Sequence, residues 1–192
     1  MPRNPTETRS NIVHSARNLF SNYGFMATSL DDILSASGVT KGGFYHYFRS
    51  KDHLCEVLLE DVIEEYKALE KTIDSSQSAD EQLRQWLMAL VEKNASGQWV
   101  NCRLITRLSV QIQQLGPELQ TRLLDYWRWY EGLYENWLTG CGLTPEQSQR
   151  AARTLISVMF GAIWLDKSAP TTLTPADIIE HQLRMILGIK TK

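Results

Sequence analysis

Apolar residues recur along this chain at spacings of three and four, and no convincing run of alternating apolar and polar positions appears. Ile12, Val13, Ala16, Leu19, Phe20 and Tyr23 fall on one stripe of a helix predicted from about Thr6 to Tyr23. Leu30, Ile33 and Leu34 mark a short second helix behind Thr28 and Ser29, both good N-caps, with Asp31 and Asp32 placed to complete a capping box. Ser50 or Lys51 starts a long helix that turns Leu54, Leu58, Val62, Tyr66, Leu69 and Ile73 inward, and Ser75 to Ala79 is the best linker candidate. Further stripes follow: Leu83, Trp86, Leu87, Leu90 and Val91, then Val100, Leu104, Ile105, Leu108 and Ile112. Pro117 opens a long helix closed by Gly140 and Gly142, and Pro145 and Pro175 sit in the first turns of two more, behind Thr144 and Thr174 as caps. The expected fold class is all-α.

Between the second and fourth helices lies the stretch richest in chemistry. Gly38 stands where a helix end needs a residue tolerant of positive φ. Thr40 then caps a helix whose first turn is Lys41, Gly42 and Gly43, followed by Phe44, Tyr45, His46, Tyr47 and Phe48. Two glycines at a helix start cost about 1 kcal/mol each relative to alanine, a cost that makes sense where the backbone must approach something closely. The plain alternative is a loop after Val39. Helix, glycine turn and a second helix with a sterically bare first turn is the helix-turn-helix pattern, which lays its second helix in the major groove. Lys41, Tyr45, His46 and Lys51 carry phosphate or base hydrogen-bonding groups, and Phe44 and Phe48 can anchor the helix in a core.

The segment VTKGGFYHYFRSKDHL, Val39 to Leu54, closely resembles the signature of the tetracycline-repressor (TetR) family of bacterial transcriptional regulators. The likeness extends upstream through IVHSARNLFSNYGFMATSLDDI, Ile12 to Ile33, and covers about Thr6 to Tyr66. It implies a helix-turn-helix DNA-binding domain over residues 1–50 and a helical effector-binding and dimerisation domain over 51–192. It also implies that Thr28, Thr40, Lys41, Gly42, Gly43, Tyr45, His46 and Lys51 meet operator DNA: Lys41 and the two glycines nearest the bases, Thr28, Tyr45, His46 and Lys51 clamping phosphates.

Charge adds a little to this. The chain's net charge is −2, but residues 1–51 hold six Lys/Arg against three acids, a net +3 that leaves −5 for the rest. A basic end on an acidic body fits a DNA-binding head, as does ordinary surface scatter. Cys55, Cys102 and Cys141 are odd in number and share no metal-ligand spacing. With no signal peptide or membrane-spanning run, a cytoplasmic location is expected, with no metal and no cofactor.

In the last two helices, Leu155, Ile156, Met159, Phe160, Gly161, Ile179, Leu183 and Ile186 line apolar stripes, and Ser157 and Gly161 lie four apart. The stripes serve either a core within one subunit or a partner. The resemblance implies a homodimer built on these helices, its two-fold matching an inverted-repeat operator.

Aromatic residues crowd the middle of the chain, where helical spacing suits a core as well as a ligand wall. The resemblance puts an effector pocket there. The candidates are Trp99, Leu104, Leu108, Trp127, Tyr130 and Trp164, with Arg103, Arg107 and Gln111 to orient a polar group. Cys102 is either an inert core thiol or, beside Arg103 and Arg107, an electrophile-sensing thiolate of a kind some family members carry near the start of the sixth helix. Asn101-Cys102-Arg103-Leu104 departs from the usual Gly-Cys-Leu of those proteins by one register.

An enzyme is the rival class. His14, His53, His181, Glu64, Glu65 and Asp166 form no recognised spacing, and adjacent Glu64 and Glu65 point about 100° apart on a helix. No catalytic residue is expected. The reading is a repressor released from DNA by a small apolar, aromatic or electrophilic effector; the alternative is a DNA-binding regulator controlled by a protein partner.

Overall fold

A computed structural model describes residues 5–97, 99–169 and 172–188. Among the described residues there are nine α-helices, a 3₁₀ turn at Ile112–Gln114 and no strand. The helices are α1 (Pro5–Tyr23), α2 (Leu30–Ser37), α3 (Lys41–Tyr47), α4 (Lys51–Glu70), α5 (Ala79–Ala95), α6 (Asn101–Val110), α7 (Pro117–Gly140), α8 (Pro145–Ser168) and α9 (Pro175–Leu187). Local signals place their ends. Thr144 and Thr174 each close a full capping box, with Gln147 and with Asp177, and proline follows each at the first helical position. Gly38 and Gly188 end α2 and α9 in the left-handed conformation, at φ 64° and 67°.

The helices divide into two compact units. One holds the described residues up to Glu65 together with Val100–Asp125; the other holds Tyr66–Trp99 and the described residues from Tyr126 on. In the first, α1 packs on α2, α3 and α6. Ile12, Ala16 and Phe20 of α1 are fully buried with Ile33, Phe44, Leu54, Leu58 and Val62, whereas Tyr23, the last residue of the expected stripe, is exposed. Cys55 is buried in this core as well, and burial pushes its thiol pKa well above the ordinary value.

In the second unit α8 packs on α9, and both pack on α5. The carboxylate of Glu180 on α9 receives hydrogen bonds from Arg84 of α5 and, at 2.9 Å, from Arg184. Burial pushes that carboxyl pKa up, but the two guanidinium groups outweigh it and hold it below the ordinary glutamate value. Gly140 lies so close to α5 that a Cβ there would come within 2.7 Å of Ala79 Cβ.

The residues expected at a dimer interface separate here into two sets. Leu155, Met159, Ile179 and Leu183 are at most 1% exposed and Ile156 is also buried, so these serve the subunit's own core. Phe160, Gly161 and Ile186 remain partly exposed. The side of α8 that faces away from this core carries Ser157, Gly161, Trp164 and Leu165, and α9 exposes Met185. The apolar residues available to a partner therefore lie on the side away from the most apolar stripe, which is the one the subunit itself buries. Among the described residues no helix is long and apolar enough to cross a membrane.

Candidate nucleic-acid interface

Ser29, not Thr28, caps α2: its Oγ accepts the Asp32 amide at 3.1 Å, and Asp32 Oδ2 accepts from the Ser29 amide at 2.8 Å and the Ser29 hydroxyl at 2.6 Å. The Ser29 hydroxyl and amide hold the Asp32 carboxyl below its ordinary pKa. Thr28, one residue earlier, is buried, and its hydroxyl donates to the Gly24 carbonyl at 2.8 Å. A phosphate-clamping side chain must reach solvent, so the role expected of Thr28 does not fit its position. Thr28 closes the α1–α2 corner instead.

Across the turn, Thr40 Oγ1 accepts the Gly43 amide at 3.2 Å and so starts α3. The two glycines differ in surroundings. A Cβ at Gly43 would stand 2.8 Å from Val39 Cγ1, so this residue is small because the turn behind it is tight. A Cβ at Gly42 would meet nothing within 4 Å, and Gly42 is exposed. Phe44 and Phe48 fix the helix from beneath, both buried, with ring centroids 5.6 Å apart. Anchored in this way, α3 presents Lys41, Gly42, Tyr45 and His46 to solvent, with no acidic residue in its sequence.

Lys51 is also placed differently from its expected role. Its Nζ donates to the Phe25 and Thr28 carbonyls, each at 2.8 Å, and lies 4.2 Å from the centre of the Phe25 ring. Burial lowers its pKa, opposed by the charge of Asp52. Lys51 ties the start of α4 to the α1–α2 corner and has few donors left for DNA. Arg49, which no pattern singled out, is the exposed cation just after α3. Its signal in the sequence is only its place directly after the aromatic run.

Three side chains expected to orient a ligand brace the same corner from α6 and the residue that caps its C-terminus. Arg103 Nη1 donates to Asn22 Oδ1 and Arg107 Nη2 to the Asn22 carbonyl, both at 3.0 Å. Gln111 Oε1 accepts the Phe25 amide at 3.0 Å and the Met26 amide at 3.4 Å. Gly24, at φ 90°, leaves room for that amide: a Cβ would lie 3.0 Å from Gln111 Nε2. Cys102, Leu104 and Leu108 are buried in this unit. Asn101, wholly buried, donates to Glu65 Oε2 at 2.8 Å, while Arg17 donates to Glu65 Oε1 at 2.6 Å.

Trp99, Trp127, Tyr130 and Trp164 belong to the second unit, and three of them join an aromatic cluster there. The Tyr66 ring lies 5.2 Å from Trp99, 5.6 Å from Tyr130, 5.8 Å from Tyr126 and 6.2 Å from Trp86. Trp127 meets Tyr130 at 6.0 Å and Phe160 at 5.5 Å. Trp164 is 37% exposed on the outer side of α8, which suits a partner surface better than a pocket wall.

Residues 12–58 match the family model described as bacterial regulatory proteins, tetR family. Along nearly its whole length the chain is similar to the uncharacterized HTH-type transcriptional regulator YxaF of Bacillus subtilis, at 25% identity over 96% of this chain and 97% of that protein. It is also similar to the HTH-type transcriptional repressor KstR2 of Mycolicibacterium smegmatis, at 29% identity over 47% of this chain and 45% of that one. The fold is shared with SCO4454, a TetR-family regulator from Streptomyces coelicolor, at a TM-score of 0.79, 20% identity and 95% coverage of both chains. A TetR-family regulator from Agrobacterium tumefaciens matches with a TM-score of 0.79 and 21% identity over 98% of this chain and 100% of that one. Residues 12–58 thus carry the helix-turn-helix segment of the tetR family of bacterial regulatory proteins, and the chain shares its helical fold end to end with regulators of that family.

Proposed function

We propose that this regulator is a homodimeric repressor that sets one α3 into each of two successive major grooves of an inverted-repeat operator and leaves it when a small aromatic effector binds the second unit. The observation that carries the DNA contact is the first turn of α3. It is exposed and free of acids, and at Gly42 it lacks a side chain where the fold itself leaves open space. Bare backbone at a helix start can come within hydrogen-bond reach of a base edge or phosphate that a Cβ would hold away. Lys41 supplies a base-reading donor beside it, and Tyr45, His46 and Arg49 supply phosphate contacts around it. The outward Ser157, Gly161, Trp164 and Leu165 on α8 support pairing with a second copy, since small residues let helices approach and the neighbouring apolar ones gain burial. The cluster around Tyr66 supports an aromatic effector.

Footprinting on the DNA that flanks the gene tests the proposal. The expected result is a protected site with two-fold symmetry, its half-sites one helical turn of about 34–36 Å apart or a multiple of that. Affinity should fall linearly with salt on logarithmic axes. Protection of a single half-site by one protomer overturns the dimeric repressor.

A further inference from the structure

Two indole donors in the aromatic cluster of the second unit meet no acceptor among the described residues. Trp86 Nε1 and Trp99 Nε1 are both shielded from solvent and have no hydrogen-bond partner among the described residues. Both indoles lie against the Tyr66 ring, at 6.2 and 5.2 Å between ring centroids. A buried N–H without an acceptor forfeits a hydrogen bond it made to water in the unfolded chain, and folded proteins rarely tolerate this. The same cluster shows the ordinary solution. Trp137, 5.8 Å from Trp86, donates its Nε1 to Gln82 Oε1 at 3.1 Å. Tyr130 and Tyr134 pair their hydroxyls at 3.1 Å, with Met159 Sδ beside them. The described residues thus supply acceptors to some buried polar groups of this core and none to the two indoles flanking Tyr66.

Charge in the neighbourhood has the same sense. Lys93 Nζ lies 4.9 Å from the centre of the Trp99 ring. Trp99 is the partly exposed member of the set, whereas Tyr66, Trp86, Tyr126 and Tyr130 are buried. Around Tyr66 there are therefore π faces, two unmet donors and a cation at the more open side.

We propose that the effector is a planar aromatic molecule bearing hydrogen-bond-accepting oxygen, carbonyl or phenolate, which stacks in the Tyr66 cluster and takes the N–H groups of Trp86 and Trp99. This deepens the effector reading above and rests on it. The site discriminates by hydrogen bonding as well as by shape: a ring system of the same size without an acceptor leaves both donors unmet, and a cationic one also opposes Lys93.

Calorimetric titration of the purified full-length protein with three two-ring probes tests this: coumarin, which carries acceptor oxygens, naphthalene, which carries none, and N-methylquinolinium, which is a cation. Wild type, Trp86→Phe and Trp99→Phe are compared, with melting curves to verify folding; Trp99→Phe, at the part-exposed position, maintains the test should Trp86→Phe fail to fold. Each substitution should weaken coumarin about tenfold, the loss of one hydrogen bond, and leave naphthalene nearly unchanged. Equal losses for coumarin and naphthalene would overturn the donor assignment while leaving an aromatic effector in place. Tighter binding of N-methylquinolinium than of coumarin to wild type would also overturn it, in favour of a cage for cations. Binding of none of the three would remove both this inference and the aromatic-effector reading beneath it.

Discussion

Gly42 and Gly43 are neighbours that lack a side chain for different reasons, and alanine separates them. At Gly43 a methyl would press on Val39 Cγ1 at 2.8 Å, so Gly43→Ala should lower the melting temperature. At Gly42 the methyl meets nothing, and alanine's helix propensity should raise stability by up to about 1 kcal/mol. Gly42→Ala should nonetheless weaken operator binding if α3 meets DNA as proposed, because the methyl would occupy the space of that close approach. A Gly42→Ala protein that binds operator as wild type does would show that the close approach lies elsewhere. In the same two measurements Lys51→Ala should group with Gly43→Ala: it loses two hydrogen bonds to carbonyls and a ring contact, about 1–3 kcal/mol, while the salt dependence of DNA binding stays the same.

Among the elements, α8 and α9 begin in the same way and respond differently to acid. Thr144→Ala at the start of α8 should cost about 1 kcal/mol at any pH, since its capping partner is the neutral Gln147. At α9 the partner is Asp177, whose carboxyl the Thr174 hydroxyl and amide hold below its ordinary pKa. A carboxyl lowered by folding gives its full stabilisation above the unfolded value and loses it as pH falls through the folded one. Protection of the α9 backbone amides against exchange, relative to the intrinsic rate at each pH, should therefore fall below about pH 4, and Asp177→Asn should abolish that fall at the first turn. Unchanged acid exchange in the variant would assign the fraying to other carboxylates. These caps were legible in the sequence because cap, proline and partner sit within four residues of one another. The starts of α7, α8 and α9, the all-α class and the anchoring of Phe44 and Phe48 could be read for the same reason, whereas α4 stops at Glu70, short of Ile73, and α6 at Val110, short of Ile112. Thr28, Lys51, Arg103 and Gln111 could not. Lys51 finds its acceptors 23 and 26 residues away, and Gln111 finds its donors 85 and 86 away. A pattern confined to one helix names the side chain but not the carbonyl or amide it meets.

On the scale of the whole molecule, the assembly is tested on the outer side of α8. Gly161→Arg should split the proposed dimer without unfolding the subunit, since a Cβ there meets nothing within 4 Å in one protomer. Leu183→Ala, in a fully buried position, should instead cost about 2–5 kcal/mol of stability and leave the association of folded protein intact. Sedimentation showing a dimer for Gly161→Arg would move the interface off this face. Another property follows from the unit that carries α3, because that unit is drawn from two stretches of chain and the second supplies Arg103, Arg107 and Gln111 to the α1–α2 corner. A gene cut once, at codon 50 or 65, severs the reading head from these braces and exposes the apolar surface of α1 that packs on α6. Recombination between regulators of this kind then has a natural unit of exchange larger than the DNA-binding motif: a transplanted head retains its rigidity only if α6 travels with it. A chimera joined at a single point inherits the operator preference of one parent on a corner braced by the other, and the match at Asn22, Gly24 and Phe25 decides whether it folds.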